Sequence, residues 1–311
     1  MSRISRVSGV IGSSITCFSR CFRRPAWQMY VIGGYDTDAM WQLDTVYASV
    51  DGSTWTSETP LPQGRDGHTS VVLNSKLFVI GGHFLWEYNA SVFSTTDGST
   101  WVDETPLPEA IVDAASAVLG SKMYVIGGVK WDGSDVFLDT VYSSKDGSVW
   151  ATEPPLPATL FSHGAAASGQ TLYVVGGERG TPYDVYQYSI TVNTVYSFDG
   201  TTWTNETALP AAVSAQTQTA ILGSKLFVLG AGTDQKGVYS FAFPTPTVRP
   251  TSAPTNVPSP LPSMYPTPMP TPKLAASPTP APTMATAAAQ CTDCGRHLTG
   301  RALLFGYLSC C

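Results

Sequence analysis

Short apolar runs closed by paired glycines recur along this chain: "QMYVIGG" (28–34), "KLFVIGG" (76–82), "KMYVIGG" (122–128) and "TLYVVGG" (171–177). Four to six apolar, β-rich residues ending in glycine predict a buried strand. The glycines (Gly33, Gly34, Gly81, Gly82, Gly127, Gly128, Gly176 and Gly177) allow positive φ or close passage of another backbone. A fifth run, "KLFVLGAG" (225–232), has lost the pairing. Some ten to fifteen residues after each run comes an alternating segment, "DTVYASV" (44–50), "ASVFSTT" (90–96), "DTVYSSK" (139–145), "NTVYSFD" (193–199) or "KGVYSFA" (236–242). Each carries an aromatic at one fixed place and predicts the next strand.

A third landmark follows. "DGSTW" stands at 51–55 and again at 97–101, with "DGSVW" at 146–150 and "DGTTW" at 199–203, at intervals of 46, 49 and 53 residues. Asp-Gly is a strong hairpin signal, because a type I′ turn needs positive φ at both central residues. The returning strand is then expected to carry Trp55, Trp101, Trp150 or Trp203 towards the core, and a Leu-Pro pair stops it. One further strand per unit is rich in small residues: "HTSVVL" (68–73), "ASAVLG" (115–120), "HGAAAS" (163–168) and "QTAILG" (218–223). No segment shows a 3.6-residue apolar period, which excludes a helical solenoid. Four antiparallel strands at this spacing compose a propeller blade, so the expected class is all-β.

The order Gly-Gly, aromatic, tryptophan resembles the kelch repeat over residues 29–243. The resemblance implies a kelch-type β-propeller of four-stranded blades, commonly six or seven, whereas about five are visible here. The first unit lacks an obvious innermost strand. Laying "VSGVIGSS" (7–14) over "ASAVLGSK" (115–122) offers residues 7–12 as a worn copy of it. The last unit lacks its tryptophan strand.

Composition then divides the chain. The body holds 22 acidic and 8 basic residues between Met29 and Pro244, and an acidic body argues against nucleic-acid binding. Residues 1–28 contain five arginines and no acid, which suits an organelle presequence, with a weak secretory signal or the worn first strand as alternatives. Residues 244–290 hold 14 of the 24 prolines, interspersed with Thr and Ser, in the manner of an extended linker or O-glycosylated stalk. Residues 291–311 form a short tail with Cys291, Cys294, Cys310 and Cys311, for which disulfides are a simpler reading than a zinc site. Cysteine is absent from 22 to 290, so neither disulfide nor thiolate–metal bonds hold the body together. No segment reads as a membrane span. The stalk and two sequons, at Asn89 and Asn205, favour secretion or cell-surface display, with organelle import as the alternative.

Candidate chemistry is sparse. The loops between the second and third strands bring Trp41, Trp86, Trp131 and Tyr183 to one face, amid acids. The loops leading to each innermost strand add Arg65, Asp66, His68 and His163. Together these suit a surface that binds a protein partner or stacks on sugar. His68–Asp66 and Ser162–His163 invite comparison with catalytic pairs, but adjacent side chains on a strand point to opposite faces. Kelch enzymes resembling galactose oxidase need a cysteine-crosslinked tyrosine and copper, and no cysteine lies in the body. Sialidases carry Asp-box turns similar to "SVDGSTW" but clamp their substrate with three arginines, and the body has only Arg65 and Arg179. The reading is a non-catalytic interaction module with no cofactor and no metal. A carbohydrate-binding or carbohydrate-active propeller, sialate-epimerase-like, is the alternative.

Overall fold

The computed structural model describes residues 10–242 apart from 12–13, 19–27, 86, 181–188, 214–217, 223–224 and 232–236. Trp86, Tyr183, most of the basic N-terminal segment, the proline-rich stretch and the cysteine tail lie outside the described residues. The remainder is a five-bladed β-propeller with no helix among the described residues. No helix long and apolar enough to cross a membrane occurs there.

Blade 1 is built from Ser14–Phe18, Gln28–Ile32, Val46–Ser49 and Thr56–Ser57, each antiparallel to the next. Blade 2 comprises Thr69–Leu73, Lys76–Ile80, Val92–Thr95 and Val102–Asp103. Blade 3 comprises Ala115–Leu119, Lys122–Ile126, Val141–Ser144 and Ala151–Glu153. Blade 4 comprises Gly164–Ser168, Thr171–Val175, Val195–Phe198 and Trp203–Asn205. Blade 5 has three described strands, Gln218–Leu222, Lys225–Ala231 and Gly237–Ala242.

The innermost strand of blade 1 corrects one expectation. It is Ser14–Phe18, paired with Gln28–Ile32, and not residues 7–12. Val10–Ile11 instead pairs with Tyr35–Asp36 just beyond the first glycine pair. Ile11 thereby takes the place that Asp66, Val112 and Phe161 hold in the next blades, each bridged to the residue after a glycine pair. The apolar "VIG" at 10–12 had aligned with the end of an inner strand, whereas it marks the approach to one.

The paired glycines are junctions between blades. All eight have positive φ. A Cβ on Gly33, Gly81 or Gly127 would lie 2.5, 2.4 or 2.3 Å from the carbonyl oxygen of Arg65, Ile111 or Leu160, in the segment entering the next blade. The second glycine of each pair donates its N–H to the same carbonyl, as in Gly34 to Arg65 at 2.8 Å and Gly128 to Leu160 at 2.8 Å. Only glycine allows both the turn and this approach.

The Asp-Gly words build a different turn from the one expected. Their glycines have positive φ but their aspartates do not, so the turns are not type I′. The Asp97 carboxylate accepts from Ser99 N (2.8 Å) and Thr100 N (2.9 Å), and Thr95 Oγ1 accepts from Gly98 N (2.9 Å). Asp51 and Asp199 repeat this pattern. These bonds hold the Asp97 carboxyl down at about 2, led by the Ser99 N–H.

All four repeat tryptophans are half-buried, and Trp101, Trp150 and Trp203 act as staples between blades. Trp101 Nε1 donates to Thr59 O at 3.0 Å, Trp150 to Thr105 O at 2.9 Å and Trp203 to Pro154 O at 2.9 Å, each reaching back to the preceding blade. The leucine of each Leu-Pro pair is buried and donates its N–H inward, as Leu107 does to Ala90 O at 2.9 Å.

Four apolar cores result, each between successive blades. Among the described residues, none joins blade 5 to blade 1. Met29, Val31 and Tyr47 of blade 1 are half-buried, while their blade 2 counterparts Leu77, Val79 and Phe93 are at most 4% exposed.

Candidate functional site

The connections between second and third strands fold into small hairpins on one face. Their ribbons pair His83–Phe84 with Glu87–Tyr88, Val129–Trp131 with Asp135–Phe137, and Glu178–Gly180 with Ser189–Thr191. In blade 1 the equivalent ribbon pairs Tyr35–Asp36 with Trp41–Gln42.

A contiguous patch runs across these hairpins. The Asp66 carboxylate lies 3.8 Å from His83 Nδ1. The His83 ring meets Tyr88 edge-on at 4.6 Å, and Tyr88 in turn meets Trp131 at 6.5 Å. Tyr88 Oη donates to Asp135 Oδ1 at 2.6 Å. On the far side, Phe137 stacks on Phe161 at 4.9 Å, and Ser189 Oγ donates to Glu178 Oε2 at 2.5 Å. Trp131 is 62% exposed and Trp41 is 50% exposed, so both indoles are available for contact.

Asp113 sits among these acids. Its N–H donates to Gly67 O at 2.8 Å and its carbonyl accepts from Ser162 N at 2.9 Å, which strings three blades together at their entry segments. Burial first, then the charges of Asp66, Glu178 and Asp135, push its carboxyl up to about 7. Burial likewise raises Asp66 and lowers His83, with the charge of each partner acting in the opposite sense on the other. Burial, and then the bond to Asp135, raise the Tyr88 phenol.

Asp113 makes a definite prediction. A carboxyl raised in the fold is protonated in both states below about pH 4, and its ionisation penalty grows until the folded value is passed. Asp113→Asn is therefore expected to match the parent near pH 4 and to exceed it by about 1–3 kcal/mol near pH 8. Asparagine also tolerates the φ of 54° at this position. Urea titrations of both proteins at the two pH values measure the difference, and a constant gap would contradict it.

The other anticipated site residues lie elsewhere. Arg65 is fully buried. It donates to Gly81 O at 2.9 Å, Ser91 O at 3.3 Å and Ser91 Oγ at 2.9 Å, with its guanidinium 4.4 Å from the Phe93 ring centre. His68 and His163 are 7% and 4% exposed. Each wedges between the glycine pairs of neighbouring blades, His68 at Gly33 and Gly82, His163 at Gly127 and Gly177. Burial holds both at about 3, with the Arg65 charge also acting on His68, so both rings are neutral. These three residues are inaccessible to a partner, which corrects their assignment to the binding surface. Asp66 remains in the patch but faces His83, not His68. Ser162 uses its backbone N–H, and no hydrogen bond joins its hydroxyl to His163 among the described residues.

His83, Tyr88, Asp135 and Glu178 were not singled out from sequence. Two of them, His83 and Glu178, directly follow a glycine pair, a position whose backbone bridges to the segment entering the same blade. No cluster of three or more His, Cys, Asp or Glu side chains suited to a metal occurs among the described residues.

The sequence matches no protein-family model and no curated protein. The fold matches 290 solved chains. One is the structure of YjhT, with a TM-score of 0.60 and 16% identity, covering 74% of this chain and 80% of that one. At such identity the likeness concerns the propeller alone.

Proposed function

We propose that the chain is a kelch-type propeller serving as a non-catalytic interaction module through its hairpin face. The observation that carries this reading is the open Trp131 indole beside the Tyr88–Asp135 pair, backed by the acids Asp66, Asp113 and Glu178. Large amphipathic rings on rigid ribbons supply contact area at low entropic cost. The surrounding carboxylates suit a basic or donor-rich partner. The repeat pattern of glycine pairs, aromatics and tryptophans supports the kelch assignment, since each landmark has one structural place in every blade that carries it.

A second reading rests on the same ring. An exposed indole flanked by carboxylates also fits stacking against a sugar, with Asp135 accepting its hydroxyls. The double variant Trp41→Ala/Trp131→Ala tests the face. Its stability is expected to stay within about 0.5 kcal/mol of the parent, since both rings are exposed. Capture of the protein partner, or of a glycan on an array, is expected to be lost, and the class of ligand lost distinguishes the two readings. Undiminished binding by a folded double variant would remove this face from the function.

A further inference from the structure

The two sequons share one motif and stand in opposite surroundings. At Asn89-Ala90-Ser91 the acceptor amide is already engaged: Nδ2 donates to Gln63 Oε1 at 3.1 Å and Oδ1 accepts from Ser91 N at 2.7 Å. The hydroxyl member, Ser91, accepts from buried Arg65 at 2.9 Å. Both residues are half-buried at the junction of blades 1 and 2. A sugar on Asn89 would break these bonds and open the Arg65 pocket.

Asn205-Glu206-Thr207 lies along and just beyond the outermost strand of blade 4, with all three residues exposed. Register fixes the direction of its side chains. Ser197 Oγ donates to Glu206 Oε1 at 2.6 Å, which turns Glu206 towards the neighbouring strand. By two-residue alternation Asn205 and Thr207 turn together to the other side. The strand leaves the Asp199–Thr202 turn at Trp203, paired with Phe198, and Asn205 lies at its other end, paired with Tyr196 on the outer edge of the blade.

We propose that Asn205 is an N-glycan acceptor when the chain enters a secretory lumen, and that Asn89 is not. The co-reactant is a lipid-pyrophosphate-linked oligosaccharide. The Asn205 Nδ2 forms a bond to the anomeric carbon, the bond from that carbon to the pyrophosphate oxygen breaks, and the lipid pyrophosphate leaves with the electron pair. The amide gives up one proton to base, and nothing is oxidised or reduced.

The test uses the full chain behind an added cleavable leader in a eukaryotic secretory host, with total lumenal and secreted material pooled. Amidase removal of N-glycans in heavy-oxygen water marks each occupied asparagine as labelled aspartate. Label at Asn205 alone is expected. Asn205→Gln and Thr207→Ala should each lose one glycan from the intact mass, while Asn89→Gln should leave that mass unchanged apart from the substitution. An unlabelled Asn205, or label at Asn89 with or without Asn205, overturns the proposal.

Discussion

Replacing Arg65 by alanine is expected to lower the stability of the propeller by about 3–5 kcal/mol, a large share of what a domain possesses. Its guanidinium has no exposure and no carboxylate among its hydrogen-bond partners. Carbonyl dipoles from Gly81 and Ser91, and the face of Phe93, hold the charge instead. Burial brings its pKa down to about 10, so the group is still charged at neutral pH. Alanine leaves two carbonyls and a hydroxyl without this donor and opens a void between blades 1 and 2. Arg65→Lys keeps the charge but not the planar fork, and an intermediate loss is expected. The check is the urea midpoint at unchanged slope, and a midpoint equal to the parent's would refute the assignment of Arg65 as a structural centre.

Gly147→Ala is expected to cost about 2–5 kcal/mol, and Gly200→Ala only about 1–2 kcal/mol. The two positions are equivalents in successive blades and both have positive φ, 86° and 99°. Backbone strain is therefore common to both. They differ in what a methyl group would meet. At Gly147 it would lie 2.7 Å from Phe78 Cε1, a ring that is 1% exposed in the core between blades 2 and 3. At Gly200 nothing lies within 4 Å. The difference between the two melts isolates the clash from the strain, and equal losses would show that the Asp-Gly turn does not press on the preceding blade.

These two cases show which parts of the fold the sequence makes legible. Strand identity and blade order follow from local signals: apolar runs, alternation, paired glycines and a recurrent tryptophan. The direction in which a residue faces depends on the neighbouring blade. Trp101 reads as the core of its own unit but bonds to Thr59 of the one before. The Asp-Gly words read as type I′ turns because two residues dominate that rule, yet Ser49, Thr95 and Ser144 join in and change the geometry. Arg65 and His68 read as surface chemistry since charged and titratable groups are mostly exposed. Their burial comes from packing against glycine pairs far along the chain. In the candidate site, Trp41 and Trp131 were legible as single exposed rings. The convergence of Asp66, His83, Tyr88 and Asp135 was not, because it depends on three separate connections meeting at blade junctions.

The unequal burial at the two ends of the blade series has a consequence for how the molecule comes apart. In a linear array each unit is held by its own intrinsic stability plus a coupling to each neighbour, and an interior unit has two couplings. Blades 2, 3 and 4 each share an apolar core on both sides, whereas blades 1 and 5 share one on a single side among the described residues. Opening blade 2, 3 or 4 therefore breaks two apolar interfaces at once. The ribbons of Tyr88 and Trp131, with Asp113 in the entry segment beside them, sit on these doubly coupled blades.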